Sequence, residues 1–293
     1  MILSIGEILA DMIGELGENG MVFKVRCGGA PFNMAVNAKR AGAKVAFLGR
    51  VGDDPIGRFL KAEAAKAALD ELILQIDQNR NTTLAFVSLN EGERDFSFFR
   101  RDTADYCIEV EELNFEKYAD LKIVHLGSLM LSEKMGRKTA QSVIEKTRKA
   151  GKLLSFDFNF RKDLFKDMAE AAEIFGRVVE QADILKFSEE ELKAYTGVND
   201  LETAIERVYK KNTILLVTLG SRGSMYRLNE LCGMIATKRV EPIDTTGAGD
   251  AFYGTFVAEI ENRPWDRENI EYALIKANEA GALTTQFFGA IRL

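Results

Sequence analysis

Apolar residues in this chain follow two spacings in turn. In NMAVNAKRAGAKVAFLGRVG (33–52) they recur at helical intervals, pass Gly42, then run together from Val45 to Leu48. That order predicts a helix closed by a glycine and followed by a buried strand. TAQSVIEKTRKAGKLLSFDFN (139–159) repeats the plan with Gly151 and a strand at Leu153–Phe156. ADLKIVHLGS, ADILKFSEEEL and NTILLVTLGSRGS add further short apolar strands. Strands alternating with helices predict a parallel sheet covered on both faces, an α/β fold. Ligands of such sheets gather beyond the carboxyl ends of the strands. The polar phrases GSLMLS, FDFNFR, KFSEEE and TLGSRG fall there.

Two stretches break the rhythm. MVFKVRCGG (21–29) is short and strand-like, and TTLAFVSLNEGERDFSFFRR (82–101) reads as two strands around a turn at Asn90–Arg94. Phe86, Ser88, Phe96 and Phe98 share even parity, which predicts one common face. A lone hairpin is marginal in water and needs a partner surface. These segments are therefore read as a small β-sheet lid, inserted at approximately 12–32 and 82–104 of a single α/β domain spanning 1–293. The alternative is that they extend the edge of the main sheet. The opening MILSIGEILADMIG reads as the first core strand, because Glu7 and Asp11 interrupt it and it has no basic leader.

Bulk composition narrows the function. The 293 residues carry a net charge of -6, with 46% hydrophobic and 29% charged residues. A broad basic surface for nucleic acid or anionic lipid is not indicated. The three cysteines are far apart and His125 is the only histidine, which argues against a zinc site or disulfide framework and suits a cytoplasmic location. No uncharged apolar run approaches the roughly 20 residues that cross a bilayer.

The sharpest chemical signal is IDTTGAGDAFYGTF (243–256). The apolar spacing after Gly249 predicts a helix, so Gly247, Ala248 and Gly249 form the turn into its N-terminus. Free N–H groups and the positive end of the helix dipole bind phosphate there without a lysine. Asp250 then stands beside an anion site. No GxxxxGK[ST] loop occurs, and Phe252 occupies the third glycine position of GxGxxG. Spacing alone also fits an Asp N-cap after a flexible turn. Phosphoryl transfer to an alcohol explains the pairing better: the helix start holds the γ-phosphoryl charge while the carboxylate orients the hydroxyl and accepts its proton. The same dipole would keep Asp250 ionised.

DTTGAGDAF resembles the C-terminal signature of the ribokinase-like, or phosphofructokinase B, carbohydrate kinases. GGAPFNMAVNAKRAGAKVAFLGRVGDDPIGRFL resembles that family's N-terminal signature. The resemblance implies a three-layer α/β/α sandwich with a mostly parallel central sheet and a small β-sheet lid. It implies Asp250 as catalytic base, Gly247, Ala248 and Gly249 as anion hole, and Asp11, Gly28, Gly29 and Asn33 around the sugar. FDFNFR is similar to a fructokinase phrase, which places Asn159 and Arg161 near phosphate or sugar, with Arg161 neutralising transition-state charge. Lys186 stands where the family usually has Asn, and Glu189 keeps an acid that acts on Mg²⁺ through water; Glu190 and Glu191 read as a solvated first turn. Thr218, Gly220 and Gly223 match the nucleotide-binding turn, Asn278 a position beside adenine, and Asp244 an acid near a monovalent-cation site. ATP, Mg²⁺ and K⁺ are the implied cofactors.

GGAPFN and the lid phrase look most like fructokinases, closest to the bacterial ones, with Phe98 and Arg100 or Arg101 reaching the sugar. The expected reaction is phosphorylation of D-fructose at its 6-hydroxyl. Alternatives are a 2-keto-3-deoxygluconate kinase or ribokinase-type enzyme, and, in another class, a non-catalytic sugar or nucleotide sensor. A dehydrogenase is disfavoured, since no GxGxxG follows the first strand. Apolar lid strands also suit a homodimer through the lid.

Overall fold

The structure is a computed structural model that describes every residue except Glu18, Asn19, Glu91, Gly92 and Glu112; side chains are not described at 15–17, 87–90, 93–96 and 116. In chain order the elements are β1 (Ile2–Ile5), β2 (Leu9–Gly17), β3 (Gly20–Gly28), α1 (Ala30–Arg40), β4 (Val45–Gly52), α2 (Pro55–Lys66), β5 (Glu71–Asp77), β6 (Leu84–Asn90) and β7 (Glu93–Phe99). They continue with β8 (Ile123–Leu126), α3 (Lys134–Lys149), β9 (Leu153–Asp157), α4 (Met168–Val179), β10 (Ile184–Ser188), α5 (Glu189–Thr196), α6 (Leu201–Val208), β11 (Ile214–Thr218), β12 (Ser224–Leu228), β13 (Leu231–Ile235), α7 (Ala248–Ile260) and α8 (Arg267–Thr284).

Nine strands form the main sheet in the order β13-β12-β11-β10-β9-β8-β1-β4-β5. From β11 to β5 every pairing is parallel; β12 and β13 add an antiparallel edge. Central strands such as β1 are buried at every position, as a sheet covered on both faces requires. One apolar cluster joins the sheet to α3, α4, α5 and α6, with Val143, Phe175, Leu192 and Ile205 among its members. A second joins the opposite face to α1, α2, α7 and α8 through Phe32, Leu60, Phe256 and Leu274. Each such fully buried side chain stabilises the fold by about 1.5–3 kcal/mol relative to exposure. The result is the expected α/β/α sandwich.

A separate four-stranded sheet has the order β3-β2-β6-β7, so the interrupting stretches are a second small sheet rather than added edges of the first. Two expectations change here. The opening stretch is not one core strand: β1 ends at Ile5, and after Gly6–Ile8 the chain enters β2 of the small sheet. The parity expectation also fails. The register pairs Phe86 with Ser97 and Ala85 with Phe98, so Phe86 and Phe98 lie on opposite faces. Phe86 packs on Phe23 and Phe99, whereas Phe98 joins the Leu9–Ala85–Leu129 cluster. The Ser88 and Phe96 side chains and part of the expected Asn90–Arg94 turn lie outside the described residues. Among the described residues, no helix is long and apolar enough to cross a membrane.

Candidate active site

The start of α7 organises the site. Gly247 is the N-cap, with φ 77°, and no side chain caps this end. A Cβ on Gly247 would meet Ala290 at 2.5 Å while its φ already lies in the left-handed region, so glycine is required twice over. Asp250 is the third residue of the helix rather than its N-cap. This rules out the capping alternative; the Ala248 N–H donates to the Thr245 carbonyl at 3.3 Å, while those of Gly249 and Asp250 have no carbonyl one turn earlier in the helix to meet and can face an anion. Tyr253, one turn later, anchors the helix to the sheet: its hydroxyl accepts from Ser155 Oγ at 2.8 Å and donates towards the Ile184 carbonyl at 3.0 Å.

Two cavities meet at this point. The smaller, of about 70 Å³, is lined by Glu7, Asp11, Gly29, Asn33, Ala85, Phe98, Asn159, Arg161, Gly247 and Asp250 among others. The larger, of about 300 Å³, is lined by Thr218, Gly220, Gly223, Thr237–Val240, Ala248, Gly249, Phe252, Asn278 and neighbouring residues. Gly247 and Asp250 thus face one cavity, and Ala248 and Gly249 face the other. Of the residues expected around the sugar, Asp11, Gly29, Asn33, Phe98 and Asn159 line the smaller cavity; of those expected around the nucleotide, Thr218, Gly220, Gly223 and Asn278 line the larger.

Within the smaller cavity, Asn33 on α1 donates from Nδ2 to Asp250 Oδ2 at 2.8 Å. Burial pushes the Asp250 carboxyl above the usual carboxylate range; the Asn33 bond and the charges of Lys186 and Arg161 pull it back, though not fully. The expectation that the helix dipole simply holds Asp250 ionised therefore meets a stronger opposing cost, desolvation. A raised proton affinity suits a general base. Gly29 caps α1 with φ 112° and lines the cavity. Gly28 lies against the Asp11 carboxylate, which a Cβ there would displace, and does not itself line the cavity. Asn159, with φ 35°, and Arg161 follow β9 and close the floor.

Several residues sit differently from expectation. Arg100 does not line the cavity: it is buried, donates from Nε to Asp105 at 2.7 Å and also reaches Ser132. A buried guanidinium needs such partners, and they turn it away from the sugar side. Lys186 is buried under the α7 start, held by both Asp157 oxygens at 2.8 Å. Desolvation is the largest single influence on it and disfavours its charge, but the carboxylates of Asp157, Glu191 and Asp250 together outweigh that cost and keep its proton affinity above the ordinary lysine value. Lys186 lines neither cavity but lies close beneath Gly249, adding positive charge behind the start of α7. Glu189 gives its oxygens to Lys193, at 2.7 Å, and to Arg222, so both are already neutralised. Glu191 is not merely solvated: it completes a capping box with Ser188 and accepts from the Phe160 N–H at 2.8 Å. Asp244 is buried and accepts from the N–H groups of Thr246 and Gly289 at 2.8 and 2.7 Å, which ties the α7 approach to the 284–289 segment. Asn278 lines the larger cavity and donates to the Ile235 carbonyl at 3.0 Å.

Sequence reasoning passed over three contributors. Glu7, read only as a charge interrupting the opening MILSIGEILADMIG stretch, enters the smaller cavity wall. Asp157 is the hydrogen-bonded partner of Lys186. The Thr237–Val240 segment walls the larger cavity, without any motif to flag it.

An open helix N-terminus with a carboxylate in its first turn, set between a small polar cavity and a larger one, is the arrangement a small-molecule kinase uses. The chain belongs to the pfkB family of carbohydrate kinases, whose family model matches residues 1–293. It is 36% identical over 302 residues to the probable fructokinase-2 of Arabidopsis thaliana, covering 99% of this chain and 92% of that one. Among solved structures, it resembles the fructokinase of Xylella fastidiosa with bound ATP at TM-score 0.90 and 30% identity, over 99% of this chain and 93% of the other. It also resembles the Vibrio cholerae O395 fructokinase bound to fructose, ADP and a calcium ion at TM-score 0.88 and 32% identity, over 99% and 94%.

Proposed function

We propose that this chain transfers the γ-phosphoryl group of ATP to the 6-hydroxyl of D-fructose. The observation that carries this reading is the start of α7, which presents Asp250 to the polar cavity and Ala248 and Gly249 to the larger one. Relatives over nearly the whole chain that are named fructokinases support the choice of sugar.

In this reading ATP occupies the larger cavity with its γ-phosphate at the α7 N-terminus. The sugar lies among Asp11, Asn33, Asn159 and Arg161. Asp250 accepts the proton of the attacking hydroxyl as the O–P bond forms and ADP leaves, with Asn33 holding the carboxylate in line. Lys186 and Arg161 offset charge that builds on the phosphoryl oxygens. Mg²⁺, bound through the ATP phosphates, would supply further neutralisation; Glu189 would reach it through water only on giving up Arg222. Asp244 and the backbone of 284–289 are the residues that would serve a monovalent cation.

The test is a coupled ADP-release assay over a sugar panel, with the product phosphate located by NMR. Fructose should give the highest kcat/KM. Faster turnover of 2-keto-3-deoxygluconate, which Arg161 would favour as a cation for its carboxylate, or of ribose, overturns the assignment. We also propose a homodimer through the small sheet, where Met21, Val22 and Phe99 are exposed; a monomer mass by light scattering refutes it.

A further inference from the structure

Glu7 sits where the chain leaves β1 for the small sheet. It is 2% exposed, lines the smaller cavity, and its Oε2 has no hydrogen-bond partner. An unpaired buried carboxylate is among the costliest groups a fold can hold, so Glu7 needs either a counter-charge or a proton. Two influences favour the ionised form, a hydrogen bond from the backbone N–H of Glu7 itself and, after it, the field of Arg100, but burial outweighs both. The Arg100 guanidinium, moreover, is committed to Asp105 and Ser132, and its remaining Nη2 is itself buried and unpartnered. The other charges around Glu7 are largely of its own sign. Asp105 lies beyond β7 and Asp250 on α7, and both oppose ionisation. Asp11 on β2 shares the cavity, with Arg161 its facing cation.

We propose that Glu7 is a sugar-binding residue that stays protonated in the working enzyme and donates a hydrogen bond to a sugar oxygen. This inference rests on the sugar-kinase reading of the same site and assigns it a further contact. Asp11 and Asp250 as carboxylates can only accept, and a sugar hydroxyl that donates to them still has lone pairs to satisfy. A neutral carboxylic acid supplies the complementary donor without adding a third negative charge to a cavity that must also admit a phosphoryl group. The terminal torsion of glutamate is soft, so the unpartnered oxygen can turn to the ligand. Burial, the largest influence, lifts the Glu7 carboxyl to about 8, in agreement with this assignment.

Glutamine is the isostere of the protonated form, and this makes the proposal testable. Sugar affinity would be measured by calorimetry and sugar KM by kinetics, across the neutral to alkaline range, for the wild type, Glu7→Gln and Glu7→Ala. Melting temperature and ATP KM serve as controls. Wild-type sugar KM should rise as the pH passes about 8, whereas Glu7→Gln should stay within about threefold of wild type at pH 7 and show no alkaline rise. Glu7→Ala should raise sugar KM about tenfold at pH 7, the loss of one hydrogen bond, with a smaller change in kcat and none in ATP KM. A Glu7→Gln enzyme that loses tenfold or more at pH 7 while melting normally overturns the proposal, because it would mean an ionised acceptor. So does one that keeps the wild-type alkaline rise. If Glu7→Ala fails to fold, the Glu7→Gln profile decides alone. A wild-type protein that binds no sugar at all overturns the functional reading, and this inference with it.

Discussion

The two cavities that meet at α7 are built on different principles. The larger is walled by backbone-rich turns and small residues, Gly220, Gly223, Gly249 and Gly281 among them. The charged side chains in its lining are Lys238 and Arg239. The smaller concentrates Glu7, Asp11, Asn33, Asn159, Arg161 and Asp250 in about 70 Å³. A nucleotide cofactor that many enzymes share can be gripped by shape and backbone N–H groups. Discrimination among sugars depends on directed hydrogen bonds from side chains, because a site left with an unpaired buried group rejects the wrong ligand strongly. Substitutions on the two sides should therefore fail in different ways.

The largest effect is expected on the sugar side. Asp250→Ala should lower kcat by roughly 10²–10⁴-fold, the range for loss of a general base, while ATP KM moves little. Full turnover in that variant would remove the base assignment. Next comes Asn33→Ala. The Asn33 bond favours the ionised form of Asp250, so its loss should push the Asp250 carboxyl further up. A base works only when ionised, and activity is lost as the pH falls through its folded-state value. The acid limb of the pH–kcat/KM profile should thus move to higher pH, with kcat at pH 7 reduced about tenfold, the scale of one hydrogen bond to a charged group. An unmoved acid limb would mean that Asn33 touches the sugar and not the base. The smallest effect is expected across the helix. Asn278→Ala should raise ATP KM only a few-fold, leave sugar KM unchanged, and lower stability by about 1 kcal/mol through the lost bond to Ile235. Equal loss on both substrates would blur the division between the cavities.

Legibility in the sequence followed the same division. The start of α7 and Asp250 could be read because they are contiguous: three small residues and an acid at a helix start. Asp11, Gly29, Asn33, Asn159 and Arg161 were legible through short phrases, and the structure gathers them into one cavity. Arg100 was misplaced because nothing local announces that Asp105 and Ser132 will claim its guanidinium. Glu189 was assigned to a metal without sight of Arg222, which only the fold of the 218–223 turn delivers. Phe86 and Phe98 were put on one face because parity along a strand is local, whereas the pairing of β6 with β7 sets even positions against odd ones. Glu7 carried no signal, since its burial depends on residues far away in the chain, Gly127 among them.

By itself the sequence determined the alternation of helices and strands, the parallel sheet and the glycine-led start of α7, because periodicity and short motifs act over a few residues. It also determined that a carboxylate would stand in the first turn of that helix. Only the tertiary structure decided which charges pair, which face the cavities and which lose their charge. Those outcomes depend on distance and desolvation between residues far apart in the chain, as where Asn33 meets Asp250 and Asp157 meets Lys186. No local pattern encodes them.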